Sequence, residues 1–305
     1  MNIVHIGLPK TASTTLQNRV FAAQDQFAYI GKTDNLYSDL LREFISRISF
    51  QDSLDYDTAR VDELVAAMRN GQNKPVLVSD EIFSVEGRTD RRIVAERLHR
   101  LFAPAKILVV VRAQTAFLQS MYLNHVRGGG QHVGTFADWL DETYGDIRFN
   151  DIYRVAINYE PLVRTYEDVF GAENVVVLPF ELINDPESMF ARELAVLLDM
   201  PLADIQAQLA RKVDNQRMST RHLAAVRLQD MMPAGANLAT FGRRMLPQPV
   251  YQLGRRIVLG GRRVESPQLT PEWRERIGAM CANGNARLEA RKNIPLRGLG
   301  YPVGG

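Results

Sequence analysis

Residues 2–17 constrain the fold of this chain more than any other stretch. Ile3 to Ile6 form a short apolar run that suits a buried strand. Gly7 and Pro9 then break the extended pattern. Leu16, Val20 and Phe21 recur at helical spacing, which starts a helix near Ser13. A strand, a tight turn and a helix N-terminus make an anion site. Free backbone N–H groups and the positive end of the helix dipole point at whatever fills the turn. An ordinary strand–turn–helix needs a single capping hydroxyl. Here Lys10, Thr11, Ser13, Thr14 and Thr15 crowd into six positions. That density points to a phosphate or sulfate ester as the guest. The stretch is not a Walker A loop, which wants G-x-x-x-x-G-K-[ST]. Gly7 to Thr11 reads G-L-P-K-T, with no glycine before the lysine.

Further strands are expected at 27–30, 76–78, 107–111 and 175–178. Helices are expected between them at 35–50, 58–70 with Gly71 as its stop, 91–102, 113–126, 159–170 and 186–198. Strands alternating with helices predict an α/β fold, a doubly wound parallel sheet flanked by helices. The second half is more helical, with segments expected at 135–144, 202–212, 220–231 and 271–291. Residues 233–270 hold several prolines and glycines without a clean period, which reads as an irregular loop or flap. The whole chain, 1–305, is expected to form one domain.

Composition sets the outer bounds. The 305 residues are enough for a full core, and a net charge of +2 is too small to imply a nucleic-acid partner. Cys281 is the single cysteine, which excludes an internal disulfide framework and fits a reducing compartment. No basic-then-apolar leader precedes the first strand, and no run approaches the length of a membrane span. The expectation is a soluble cytoplasmic protein.

Pro9-Lys-Thr-Ala-Ser-Thr-Thr-Leu-Gln17 resembles the 5′-phosphosulfate loop of sulfotransferases that use 3′-phosphoadenosine 5′-phosphosulfate (PAPS). Bacterial and Golgi-type members carry P-K-T-G-T-T-x-L-Q after the first strand. The chain departs at Ala12, where glycine is usual, and at Ser13, where threonine is usual. A second stretch, Ile107 to Tyr122, puts Arg112 where a buried strand ends, and ligands of open sheets bind beyond such ends. Ser120 follows eight residues later, about two helical turns on. The family has an arginine and a serine at this R-x7-S spacing, and they grip the 3′-phosphate. Arginine suits the task because its planar fork binds two phosphate oxygens at once.

The third stretch, Ser79-Asp80-Glu81, resembles the S-x-E of carbohydrate-type members, whose glutamate takes the acceptor's proton. The plainer reading of these residues is a cap, with Asp80 bonding the next turn and Glu81 favouring its dipole. His125 and His5 are rival bases, and His5, alternating with Val4 and Ile6, reads better as a hydrogen-bonded core residue. Tyr159 to Gly171 and Val175 to Glu181 resemble the family's helix–FG–strand–YE segment, in which Glu181 is structural. Lys212 to Ser219 falls where the family has a late loop over the nucleotide, which nominates Asn215 and Arg217 for the 3′-phosphate. The resemblance spans residues 1–220.

The resemblance implies a P-loop-like fold and transfer of a sulfuryl group from PAPS to an acceptor hydroxyl, less readily an amine, with release of PAP. Lys10, Thr11, Ala12, Ser13, Thr14 and Thr15 would hold the 5′-phosphosulfate, and Glu81 or His125 would be the base. The scheme requires no metal, and no His/Cys cluster of metal spacing is present in the sequence. The acceptor expected is a carbohydrate, a glycolipid or another small molecule. Two alternatives are a small-molecule kinase with a degenerate P-loop, which would need Mg²⁺ ligands, and a nucleotide-binding regulatory protein that has lost catalysis. Between 241 and 264, three Arg-Arg pairs occur with no acidic residue among them. This segment reads as a solvated basic loop plus short helix, or as a flap for an anionic acceptor or acidic membrane surface.

Overall fold

The computed structural model describes residues 1–34, 36–85, 88–127, 134–145, 157–210, 219, 221, 223–224, 245, 247–259, 262 and 265–304. β1 (Asn2–His5), β2 (Ala28–Gly31), β3 (Val76–Ser79), β4 (Ala105–Val111) and β5 (Val175–Pro179) form one parallel sheet in the order β2-β3-β1-β4-β5. Val4 of β1 sits opposite Val78 on one side and Ile107 on the other. Parallel strands need helical crossovers, so helices cover both faces and the strands read as nearly unbroken apolar runs. The winding direction reverses beside β1, and ligand crevices of open sheets lie beyond the carboxyl ends at such a reversal.

By contacts the chain divides into two compact units. The first comprises 1–114, 147–213 and 276–305, and it holds the whole sheet. Its helices include α1 (Ser13–Thr15), α2 (Asp39–Phe50), α3 (Thr58–Arg69) and α4 (Arg91–Phe102). One face of the sheet, with Ile3, Leu77, Leu108, Val110 and Leu178, packs on Leu16, Val20 and Phe21 and on Phe190, Leu194 and Leu198. Elsewhere in this core Phe44 of α2 meets Phe83 and Phe102 edge-on, each at 6.3 Å.

The second unit comprises 115–146 and 214–275. It takes most of α5 (Gln114–Arg127), all of α6 (Phe136–Tyr144) and an aromatic cluster of Tyr122, Phe136, Trp139 and Tyr144. Trp273 Nε1 donates to Asp141 Oδ1 (3.2 Å) within it.

The remaining helices are α7 (Tyr159–Phe170), α8 (Met189–Leu198), α9 (Leu202–Ala210), α10 (Gln248–Leu259) and α11 (Pro271–Lys292). Several boundaries differ from expectation for local reasons. α2 starts at Asp39 because the Ser38 hydroxyl accepts from Leu41 N and caps it there. α3 ends on Asn70 at φ 48°, one residue before the expected glycine. α8 starts at Met189 because Ser188 folds back onto the Leu182 and Asp185 carbonyls (2.8 and 2.6 Å) and holds 182–188 in turns.

Within 233–270, where the sequence reads as an irregular loop or flap with a short helix in its basic part, α10 is the described helix. Val250, Leu253 and Ile257 supply the i, i+3, i+7 spacing, and Pro249 sits in the first turn, where a missing N–H costs nothing. The helix expected at 220–231 lies mostly outside the described residues. Among the described residues no helix is long and apolar enough to cross a membrane.

Candidate anion site at the carboxyl edge of the sheet

The β1 loop turns sharply on two residues with left-handed backbone, Lys10 at φ 62° and Ala12 at φ 65°. Neither is glycine, so each carries the steric cost of a Cβ in that region, about 1–2 kcal/mol. The Thr11 and Ser13 hydroxyls both donate to the Leu8 carbonyl (2.6 and 3.2 Å) and fasten the turn. Ala12 is the N-cap of α1 and makes no side-chain cap, so no N-cap side chain claims the first-turn amides. α1 continues through a π turn (Leu16–Val20) and a 3-10 turn (Phe21–Ala23). Gly7 is required by packing. A Cβ there would lie 2.5 Å from His5 Nε2 and 2.8 Å from Ser13 Oγ.

A buried polar chain supports the loop from below. Gln17 Nε2 donates to Ser79 Oγ (3.1 Å), and Ser79 Oγ lies 2.7 Å from His5 Nδ1. The serine oxygen has two lone pairs and one proton, so it can accept from Gln17 and pair with Nδ1 of either imidazole tautomer. Complete burial pushes the His5 pKa down to about 3, so the ring is neutral. Gln17, the last residue of the loop motif, is thus a strut between α1's continuation and β3.

The turn after β3 is pinned from several directions. Asp80 N donates to His5 O (3.1 Å) and Asp80 Oδ1 accepts from Ile82 N (2.9 Å). Ser84 Oγ donates to the Gly7 and Glu81 carbonyls (3.0 and 2.8 Å), which ties this turn to the β1 loop. Arg91 holds the Ile82 carbonyl (2.9 Å) and Tyr166 the Phe83 carbonyl (2.7 Å). Asp80 is wholly buried and Glu81 half-buried. Burial raises the Asp80 carboxyl above its ordinary value, against the pull of the Ile82 amide and Lys32. Asp80 therefore does the capping that the plainer sequence reading expected.

The remaining strand ends complete the edge. Lys32 follows β2, with its ammonium 4.6 Å from the Tyr37 ring centre. Burial opposes its charge, but Tyr37, Asp80 and Glu81 together hold its pKa above the ordinary value. Arg112 follows β4 and donates from Nη1 to the Lys10 carbonyl (2.9 Å), with its guanidinium 4.5 Å from the centre of the Phe180 ring. Tyr159 donates its hydroxyl to the Arg112 carbonyl. Glu181, after β5, accepts from Ala113 N (2.9 Å) and Tyr301 Oη (2.8 Å), as its structural reading requires.

The expected site residues fall into three groups. Lys10, Thr11, Ala12, Ser13, Thr14, Thr15, Glu81 and Arg112 all belong to the first unit and to neighbouring strand ends. Ser120 and His125 lie on α5 in the second unit, where the His125 ring is 6.3 Å from Trp139. Asn215 and Arg217 lie outside the described residues. The sequence reading passed over Lys32, Tyr37 and Ser84. Lys32 was findable by the strand-end rule that nominated Arg112, because it directly follows the second strand.

No protein-family model matches the chain, and no curated protein matches it. Among solved structures, the crystal structure of a sulfotransferase from Alicyclobacillus acidocaldarius shares the fold. The TM-score is 0.58 at 18% identity, over 98% of this chain and 98% of that one. The sulfotransferase domain from the curacin biosynthetic pathway matches with a TM-score of 0.41 at 13% identity, over 70% of this chain and 78% of that one, which is too slight to argue from.

Proposed function

We propose that this chain is a sulfotransferase that moves a sulfuryl group from PAPS to an acceptor hydroxyl and releases PAP. The observation that carries this reading is the hydrogen bond from Arg112 to the Lys10 carbonyl, across 102 positions of sequence. A phosphate-binding turn alone suits many nucleotides. An arginine held against that turn suits a ligand with phosphate at two ends, as PAPS has at its 5′ and 3′ positions. The sulfotransferase-like fold and the match at 9–17 support the same conclusion.

In this reading the acceptor oxygen attacks sulfur in line, and the bond from sulfur to the bridging oxygen of the 5′-phosphate breaks. That oxygen keeps the electron pair. Lys10 and the first-turn amides stabilise the charge it gains. Glu81 takes the acceptor's proton, and the pinned turn that carries it limits the reorganisation needed. Asp80, buried beneath, holds the turn instead of meeting substrate. Ser120, Asn215 and Arg217 for the 3′-phosphate, and His125 as rival base, rest on the sequence motifs. The proposed acceptor is a carbohydrate, glycolipid or other small hydroxyl compound, and the proposed setting is the cytoplasm.

Calorimetry tests the reading. PAP should bind without Mg²⁺, and Lys10→Ala should keep its circular dichroism while losing nearly all turnover of labelled PAPS with a fractionated extract. Binding of ATP only with Mg²⁺, and none of PAP, would overturn it in favour of a kinase.

A further inference from the structure

Three side chains of α10 stand out in the second unit. Val250, Leu253 and Ile257 are 50%, 60% and 51% exposed. They lie at i, i+3 and i+7, so they form one apolar stripe along a single helix face. Met245, just before the helix, is 66% exposed. Isolated apolar residues on a surface need no explanation, but a helical row of them does.

The sequence around this helix carries charge of one sign. Residues 231–264 contain Arg243, Arg244, Arg255, Arg256, Arg262 and Arg263 and no Asp, Glu, Lys or His. The whole chain carries +2, so the stretch is +6 and the rest of the chain is −4. Arg221 adds a guanidinium that reaches the Ile257 carbonyl at the helix's C-terminal end (3.5 Å). Asp230 and Glu265 bound the stretch in sequence, and Glu265 pairs with Arg262 (3.2 Å), although both side chains of that pair stay more than 80% exposed at 82% and 87%.

We infer that α10 docks the protein on an anionic lipid bilayer, lying in the plane of the interface. Val250, Leu253 and Ile257 would enter the head-group boundary, and the positive charge of this stretch of sequence would draw it to the lipid phosphates. Both halves of the arrangement are needed for this partner. A polyanionic glycan would use the arginines but leaves no role for an exposed apolar row. A second copy of the chain would cover the row but would bring +6 against +6. An exposed apolar helix face within an arginine-rich stretch of sequence fits an acidic membrane surface.

The test is flotation of the full-length protein with vesicles. Phosphatidylcholine vesicles containing about one third phosphatidylglycerol should bind at least about tenfold more protein than pure phosphatidylcholine at low salt. Binding should fall by about tenfold or more between about 0.05 and 0.5 M salt, because the Debye length shrinks several-fold over that range. Leu253→Ser with Ile257→Ser, and separately Arg255, Arg256, Arg262 and Arg263→Ala, should each abolish most of the binding while PAP affinity and the circular dichroism stay as in the parent. The parent's lipid and salt dependence judges the proposal even where a variant misfolds. It is overturned by equal binding to neutral and anionic vesicles, by no vesicle binding at low salt, by binding to heparin alone, or by a serine variant that merely turns a dimer into a monomer.

Discussion

Ala12 is the residue at which local chemistry and fold disagree most openly. Its φ of 65° belongs to the region glycine enters freely. The sequence shows that this position departs from the usual loop motif, but only the backbone shows why glycine is usual there. Ala12→Gly relieves the Cβ clash and adds freedom to the unfolded chain, two effects of opposite sign. The first is the larger, so the variant should gain about 0.5–1 kcal/mol in urea denaturation. A loss of stability would mean that the loop carries no such strain. His5 gives a pH prediction at the same scale. Its folded pKa is about 3 against 6.5 when unfolded. The unfolded chain therefore takes up a proton below about pH 6.5 that the native state refuses, and stability falls as pH falls toward 3. Between pH 6.5 and pH 5 this amounts to about 2 kcal/mol. His5→Gln removes the proton and keeps a hydrogen-bonding head toward Ser79, so its stability should fall less steeply over that interval. Parallel curves for parent and variant would exclude His5 as the source.

At the scale of elements, helices and strands with strong periods were legible and their ends were not. α4 and α7 follow from their apolar spacing, whereas the starts of α2 and α8 depend on Ser38 and Ser188 hydroxyls whose partners a sequence does not reveal. The short helix expected within 241–264 could not be given bounds, because flanking prolines and glycines obscure the spacing of Val250, Leu253 and Ile257. The joint between the β1 loop and the β3 turn could not be read at all. It consists of Ser84, which no motif singles out, bonding the carbonyl of Glu81 in its own turn and that of Gly7, 77 residues earlier. Removing it with Ser84→Ala strands the buried Gly7 carbonyl and should cost about 1–3 kcal/mol. If the joint also aligns Glu81 with the loop, kcat should fall further than KM rises. An unchanged kcat in a variant of normal stability would limit Ser84 to holding the fold.

At the scale of the whole molecule, the parallel sheet was legible because alternating apolar strands and helices allow few other arrangements. The division into two units was not, since α5 and α11 each run across one of the boundaries. The first unit gathers segments from the start, middle and end of the chain. A ligand at its sheet edge therefore touches loops whose order depends on all of them, and binding should register as global stability. A ligand at about 100 times its Kd adds about 2.7 kcal/mol to the native state. In a chain of this size that raises Tm by roughly 4 °C. PAP without Mg²⁺ should produce such a shift, and adenosine 5′-phosphosulfate, which lacks the 3′-phosphate, a smaller one at equal concentration. Arg112→Ala deletes a charge-assisted contact worth about 1.5–3 kcal/mol. Its loss should bring the PAP shift down to that of adenosine 5′-phosphosulfate while barely moving the latter. Should Arg112→Ala depress both shifts equally, Arg112 acts through its bond to the Lys10 carbonyl on the shape of the turn, and the 3′-phosphate must be held elsewhere.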